Sequence, residues 1–426
     1  MKEVIYTSLE DAAERVMVSY VGPTTEYFCD NGVPFLRTAN VGEREILLKD
    51  LKYIKPDFHV KLKKSILQTN DVIVSRVISD KINCAIVPSK LDGANCGNII
   101  IIRPGRNLIP EYITHYISFP LTQQKLLKLS VGTAQSVVNT SVLKALLIPL
   151  PPLPEQQRIA AILDKADALR EKRRRAIAKL DELLESSFLQ LYENKLLLNT
   201  MKLEDVAEKS RGSFVNGPFG SDLLTSELTK SGVPVIYIRD IREGEYNRVS
   251  ESFVSKDKAE KLSVCSVFPR DVLIAKVGDP PGTAALYPDN EPYGIVTQDV
   301  IRIRTNNQIV TPEFLVSYFN SSIGCWNLSK IIIEATRARF SLTDLKKLSL
   351  EIPSLSQQKQ FSSIAKKIFA LKLQQKKSLD KLDILFLSLQ QRAFSGELFA
   401  QQANDELDKV ANEEKPGQMS LFDLMR

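Results

Sequence analysis

The chain has little of what carries chemistry at neutral pH: its 426 residues include two histidines, five cysteines and one tryptophan. The cysteines, Cys29, Cys84, Cys96, Cys265 and Cys325, are scattered without a CxxC pair, so neither a zinc ribbon nor a disulfide framework is indicated. Buried free thiols are the expectation. His59 and His115 have no second ligand at metal spacing; no metal site is expected, and both should be structural or solvated. There is no GxxxxGK[ST] phosphate loop, so any ATP hydrolysis must come from another chain. Long apolar runs are also missing. The longest, such as 99–102 and 331–333, fall far short of a membrane span, and the N-terminal MKEVIYTSLEDAAE has no apolar signal core. The expected protein is cytoplasmic and has no membrane partner.

What is present is an ordinary globular composition, 43% hydrophobic and 25% charged, at a length that suggests two to four domains. The net charge of +6 permits nucleic-acid binding without demanding it. Residues 1–152 carry 18 basic and 14 acidic side chains, whereas residues 201–352 carry 19 and 20.

The strongest signal is internal repetition. LPEQQRIAAILDKADAL (153–169) returns as LSQQKQFSSIAKKIFAL (355–371), and the match extends upstream. NGVPFLRTANV (31–41) aligns with SGVPVIYIRDI (231–241) and NDVIVSRV (70–77) with RDVLIAKV (270–277), both at an offset of 200. IIIIR (99–103) meets VIRIR (300–304) at 201, and IPEYITHYI (109–117) meets TPEFLVSYF (311–319) at 202. Two copies of one unit, with small loop insertions between them, therefore make up the chain before a short tail.

Within each copy, short β-rich runs punctuated by Gly, Pro and Asn predict a mixed α/β lobe. After Pro151 and Pro353 a long glycine-free segment predicts a helix, with Pro154 in its first turn, where a missing N–H costs little. In the first helix Ile159, Ile162, Ala166, Leu169, Arg173, Ala176, Leu180 and Leu183 keep a 3-4 spacing. In the second, Phe361, Ile364, Ile368, Leu371, Gln375, Ser378, Leu382, Leu385 and Leu389 keep it too. Such seams predict a coiled coil. A helix from about residue 155 to 192 would be roughly 57 Å long at about 1.5 Å per residue. The second helix must run back to pair with it, so the pair should be antiparallel, with Arg173 and Gln375 sharing a polar layer. The predicted fold class is α+β: two mixed α/β lobes separated by two long antiparallel coiled-coil helices, a pseudo-two-fold internal repeat. Its segments are 1–152 (first lobe), 153–200 (first spacer helix), 201–353 (second lobe), 354–400 (second spacer helix) and 401–426 (flexible acidic tail). Two unlike lobes related in this way would meet duplex DNA with opposite strand polarity and read a bipartite, asymmetric target with an unread gap.

The order of α/β lobe, proline-rich lead, glutamine-rich helix start and long helix, present twice, resembles the specificity subunit of a type I restriction-modification system. The residues that carry the resemblance are VGTAQSVVNTSVLKALLIPLPPLPEQQRIAAILDKADAL (131–169) and FSLTDLKKLSLEIPSLSQQKQFSSIAKKIFAL (340–371), and it covers about residues 1–400. It implies that the lobes are target recognition domains for double-stranded DNA, that the helices are the conserved spacer regions, and that the chain has no active site. It also implies partners: two adenine-N6 methyltransferase subunits that bind S-adenosylmethionine and, for restriction, translocating nuclease subunits that use ATP and Mg2+. Cofactors are thus expected in the partners and not in this chain. The second copy departs from the pattern, with Ser354, Ser356 and Gln357 where the first has Pro152, Pro154 and Glu155, so the two docking surfaces need not be equivalent. The rival reading is a coiled-coil scaffold with protein-binding lobes. A catalytic reading rests on Asp279-Pro280-Pro281-Gly282, which is similar to the DPPY motif of adenine methyltransferases, but Gly282 cannot stack on a flipped base; a turn is expected.

Candidate DNA-binding residues are Arg37, Arg76, Arg239 and Lys276, in or beside β segments, the cluster Lys61, Lys63 and Lys64, and the pair Arg337 and Arg339. Arginine suits guanine edges and either cation suits phosphates, while a solvated strand-end charge is the alternative for each. The helices add the basic run 172–175 and Lys366, Lys367, Lys372, Lys376 and Lys377, expected to face partner or solvent. In the tail, Gln418-Met419-Ser420-Leu421-Phe422 is similar to the short motif that docks bacterial proteins on the replication sliding clamp, with Gln418, Leu421 and Phe422 as its anchors; a terminal anchor folding back on the chain is the alternative.

Overall fold

The computed structural model describes residues 5–78, 80–130, 137–193, 198–218, 220–334, 336–398 and 400–412. Two compact units divide the chain. Unit 1 combines Met1–Arg174 with the chain from Lys376 through the last helix, and unit 2 is Arg175–Gln375. The division falls inside both long helices, Leu153–Leu189 and Leu355–Ser395.

The lobe of unit 1 has an antiparallel sheet in the order Ala13–Val18, Ile99–Pro104, Val72–Ser75, Cys84–Ile86. A second sheet runs Phe28–Cys29, Lys52–Ile54, Val33–Leu36, Asn95–Cys96, with its last pair parallel. The inner strand Val72–Ser75 is buried along its whole length, which is why it reads as an unbroken apolar run and not as an alternating one. Unit 2 repeats the first sheet as Phe214–Asn216, Val300–Ile303, Val272–Ala275, Ala284–Leu286. Its second sheet runs Phe253–Val254, Val233–Ile236, Gly294–Val296, Ser266–Val267. Equivalent residues hold equivalent register: Val72 pairs with Ile102 and Val272 with Ile303.

Two buried polar devices recur. Asp71 takes a bidentate bond from Arg103 at 2.8 and 2.8 Å, and Asp271 takes one from Arg304 at 3.1 and 3.0 Å, pinning the end of the central strand to its neighbour. The second device explains the glutamine in the helix start. Gln156, fully buried, accepts from the Ile109 N–H at 3.0 Å and donates to the carbonyls of Asn107 and Pro151, both at 2.8 Å. Gln358 does the same with Thr311, Ile309 and Pro353 at 3.0, 3.0 and 2.9 Å. One amide side chain satisfies three backbone groups that the lobe-to-helix junction would otherwise bury unpaired.

The β run read in VPVIYIRDI stops at Ile236. Residues Ile238–Asp240 form a 3-10 turn because buried Asp240 accepts from the N–H groups of Tyr237, Val249 and Ser250 at 2.8, 2.9 and 2.9 Å. Asn40 holds the matching turn in unit 1, accepting from Arg37 N at 2.9 Å and donating to Leu47 O at 2.8 Å.

Within each unit the helix segments pair antiparallel. In unit 1, Arg170 bonds Asp383 at 2.5 Å and Arg173 bonds the Ser378 hydroxyl at 3.1 Å. In unit 2, Lys372 pairs with Asp181 at 2.7 Å and the rings of Phe188 and Phe361 lie 5.5 Å apart. Numbers rise on one helix as they fall on the other. Of the positions read as a seam, Ile159, Ile162, Ala166, Leu180, Phe361, Ile368, Leu382 and Leu389 are buried. Leu169, Leu183, Ile364, Leu371, Gln375 and Leu385 are half-buried. The helices bury more than one stripe: Leu163, Phe188, Ala365, Phe386 and Phe394 are also buried, because each helix packs on a lobe as well as on its partner. Arg173 Nε donates to the Ser378 hydroxyl, one turn beyond Gln375.

Three expectations are corrected. The tail does not begin as a flexible linker: Ala400–Asn412 is a helix whose Ala403 and Leu407 are buried in the unit 1 core, an amphipathic pattern that its acidic composition hides. Lys372 is not a solvated or partner-facing charge but is buried between two carboxylates. The cysteines are free, but only Cys84 and Cys96 are buried and Cys325 is exposed. Gln418, Leu421 and Phe422 lie outside the described residues. No helix among the described residues is long and apolar enough to cross a membrane.

Candidate nucleic-acid interface

Unit 2 has an open cleft of about 480 Å3, lined by Ile238, Val277, Gly278, Asp279, Glu334, Thr336, Arg337 and Ala338; of the basic candidates Arg337 lines it, and Arg239, Lys276 and Arg339 each adjoin a lining residue in the chain. Three segments build it. The 3-10 turn brings Arg239, exposed, whose Nε bonds the Ser250 hydroxyl at 2.6 Å and whose guanidinium lies 4.5 Å over the Tyr237 ring. The loop after Val272–Ala275 brings Lys276, tied down through its own N–H to the Asp299 carbonyl at 2.8 Å. The loop 333–339 brings Arg337 and Arg339, both exposed; Ile333 and Arg339 close it with backbone bonds of 2.7 and 3.2 Å, and Gly278 N ties it to Ala338 O at 3.2 Å. Three segments that sequence places up to a hundred residues apart, each carrying a cation, therefore meet at one cleft. Asp279 and Glu334 add acceptors to the same rim, so the cleft offers both donors and acceptors, the combination that base edges require.

The motif at Asp279 is a turn: Gly282 has φ +109°, and a Cβ there would run into Leu328, leaving no room for the aromatic that a methyltransferase needs.

In unit 1, Arg76 holds the place of Lys276 and bonds Asn98 Oδ1 at 3.3 Å, while Thr38 bonds the Asn98 carbonyl at 3.0 Å. A bridge from Val77 to Val137 matches the one from Val277 to Arg339. The intervening residues 131–136 lie outside the described residues. Arg37 is not the counterpart of Arg239: its Nη2 bonds the Asp50 carbonyl at 3.0 Å, and its Nε is buried without a partner. Lys61, Lys63 and Lys64 are exposed where the helix Pro56–Lys61 runs into the turn Lys63–Ser65, with Phe58, Leu62 and Ser65 buried beneath. Among the described residues no group of three or more His, Cys, Asp or Glu could hold a metal ion.

Sequence reasoning missed the groups that seat the lobes. In unit 1, His115 lies buried between Arg44 and Asp164. Its Nδ1 accepts from Arg44 Nη1 at 2.6 Å and its Nε2–H donates to Asp164 at 2.8 Å, which fixes the neutral tautomer. Burial, foremost, and the Arg44 charge hold the imidazole below its ordinary value, against the pull of Asp164. In unit 2, burial would lower the Lys372 ammonium, but Asp181 at 2.7 Å and Glu245 at 3.0 Å outweigh it and hold it above its usual range. Nothing in the local pattern marks these residues, since their partners lie 49 to 191 positions away and only the fold joins them.

Comparison with known proteins agrees with this architecture. The family model for the type I restriction modification DNA specificity domain matches twice, over residues 22–180 and 198–383. The StySPI specificity subunit of Salmonella potsdam is 22% identical over 90% of this chain and 86% of its own length. The EcoKI specificity subunit of Escherichia coli K12 is 23% identical over 91% and 87%. Among solved structures, the type I S subunit from M. genitalium superposes with a TM-score of 0.53 at 15% identity, covering 92% of this chain and 97% of that one, a likeness of fold. With both of its halves matched, the chain belongs to the type I restriction modification DNA specificity family.

Proposed function

We propose that this chain recognises DNA for a type I restriction-modification complex by reading a bipartite, asymmetric target, one half-site per lobe, and that it catalyses nothing itself. The observation that carries the reading is the duplication of a whole lobe with cations held at equivalent loops, Arg76 in one and Lys276 in the other, beside a cleft rimmed by further donors and acceptors. The lobes differ in sequence at those loops, with Gln135 where the second has Arg337, so their half-sites would differ. In this reading Lys61, Lys63 and Lys64 would meet phosphates, and Arg239, Arg337 and Arg339 base edges or phosphates. The long helices would dock two methyltransferase subunits, with restriction subunits joining through them. S-adenosylmethionine, ATP and Mg2+ would be held by those partners, and the complex would work in the cytoplasm.

The test is a genome-wide map of N6-methyladenine in cells carrying this chain with its methyltransferase, set beside cells lacking only this chain. Methylation at one gapped, two-part motif should disappear. An unchanged map would favour the scaffold reading, and the lobes would then be tested against proteins.

A further inference from the structure

The two lobes share a fold, yet the helix faces on which they sit are charged in opposite senses. In unit 1 the helix face is the anionic side and the lobe supplies the donors: the Arg44 cation bonds Asp167, and the neutral His115 donates to Asp164. In unit 2 the helix face is the cationic side: Lys366 meets Glu313, 2% exposed, at 3.3 Å and Lys372 meets Glu245 at 3.0 Å, glutamates that the first lobe also has at the matching positions, Glu111 and Glu45. The repeat places Asp164 opposite Lys366 and Asp167 opposite Phe369, and it places Arg44 opposite Gly244 and His115 opposite Ser317. Where unit 1 fills the junction with the Arg44 guanidinium, unit 2 has Gly244 and Phe369 lining a cavity of about 310 Å3, with the buried Ser317 hydroxyl unpartnered. The basic position of the helix seam is common to both, Arg170 with Asp383 and Lys372 with Asp181.

Backbone geometry shows that Arg44 is there for its side chain. It has φ 59°, the left-handed region that glycine occupies freely and other residues resist, and Gly244 has φ 76° at the matching position. A residue that strains its backbone at a junction is held there by what its side chain does.

We infer that these residues form a matched key that seats each lobe on its own helix start, so that the two lobes are not interchangeable on the spacer. Exchanged, the second lobe would set Gly244 against Asp167 in place of Arg44 and leave Asp164 without the His115 donor, and the first lobe would set Arg44 against Lys366 and Phe369, which carry no acid. Unpaired buried charge opposes such seating more strongly than any lost surface pair. The key therefore fixes which lobe stands at which helix start, and with it the order of whatever the lobes read.

Thermal unfolding of full-length chains tests this without any DNA, so its outcome is independent of the DNA-reading proposal. In the exchanged chain, residues 201–353 precede 153–200 and residues 1–152 precede 354–400; it should melt several degrees below the native chain. Adding Asp164→Lys, Asp167→Phe, Lys366→Asp and Phe369→Asp should restore most of the loss. An exchange that costs nothing, or a loss that the four substitutions leave in place, overturns the key. Arg44→Gly in the native chain gives a second reading that needs no exchange. Backbone strain alone predicts a higher Tm for it and the key predicts a lower one, so a rise overturns the inference.

Discussion

Units 1 and 2 are built on one plan and stabilised by different chemistry at the same places. The strand order and register of the first sheet and the buried glutamine are shared. The lobe-to-helix junction is not: a guanidinium, an imidazole and two aspartates in one, lysines and glutamates in the other. The core differs too. Ile101 in the first lobe is replaced at the same register by Arg302, 2% exposed, with one bond to the Val264 carbonyl at 3.1 Å and Asp271 at 3.6 Å. Duplication preserves the groups that satisfy the backbone, because any loss there leaves buried N–H or C=O unpaired. Side-chain pairs can drift together as long as both members change.

The comparison breaks most visibly at what the units share. Replacing Gln156 or Gln358 by leucine leaves one N–H and two carbonyls buried without partners, and each change should cost about 2–4 kcal/mol in denaturant unfolding of the full chain. The two losses should be alike. A Gln358→Leu chain as stable as the native one would show that the junction of unit 2 admits water and that the equivalence is only geometric.

The units should separate in acid. His115 is held below its ordinary value of 6.5, mainly by burial, so as pH falls the unfolded chain takes up its proton first. That stabilisation is full above pH 6.5 and is lost as pH falls below it through the folded value. Of the facing groups, the Arg44 charge opposes protonation and Nδ1 already accepts from Arg44, while Asp164 alone favours the cation without overcoming burial. Asp167 is engaged by Arg44 and Arg170, and the Phe386 ring, 6.4 Å away, has no charge to offer. Unit 2 contains no histidine. Its lowered Glu313, where Arg270 and Lys366 overcome burial, weakens only as pH falls through the carboxylate range. Hydrogen exchange followed peptide by peptide from pH 7.5 to 5.5 should therefore show residues 110–118 and 153–169 losing protection while 312–320 and 355–371 keep it. Parallel loss in both would remove His115 as the cause.

Much of this plan is legible in the sequence because the repeat is written at fixed offsets and because inner strands and helix seams have simple periods. The junction is not legible. Arg44 reads as a surface charge in a polar turn, and Lys372 reads as one lysine in a basic run; only tertiary packing reveals that Arg44 is half-buried and Lys372 buried against acids more than a hundred residues away. The tail misleads for a related reason: its acidic residues mask the spacing of Ala403 and Leu407, which is what folds it. The candidate cleft in unit 2 was half legible, since its residue types were visible but not their convergence from three segments.

The smallest expected effect concerns the basic cluster that only the first lobe carries. At Lys61, Lys63 and Lys64 the second lobe has Lys261, Ser263 and Val264, and Val264 is 45% exposed. The three lysines cover no core of their own, since Phe58 and Leu62 are buried by the strands behind them. Their replacement by alanine should thus leave stability within about 0.5 kcal/mol. If they meet phosphates, each contact releases counterions, and the slope of log affinity against log salt should become shallower by roughly 2 to 3 units. Sequence preference should stay the same, because phosphates carry no base identity. A triple variant with an unchanged slope would show that the cluster faces solvent, and that the two lobes approach the duplex with equal charge despite the difference in their sequences.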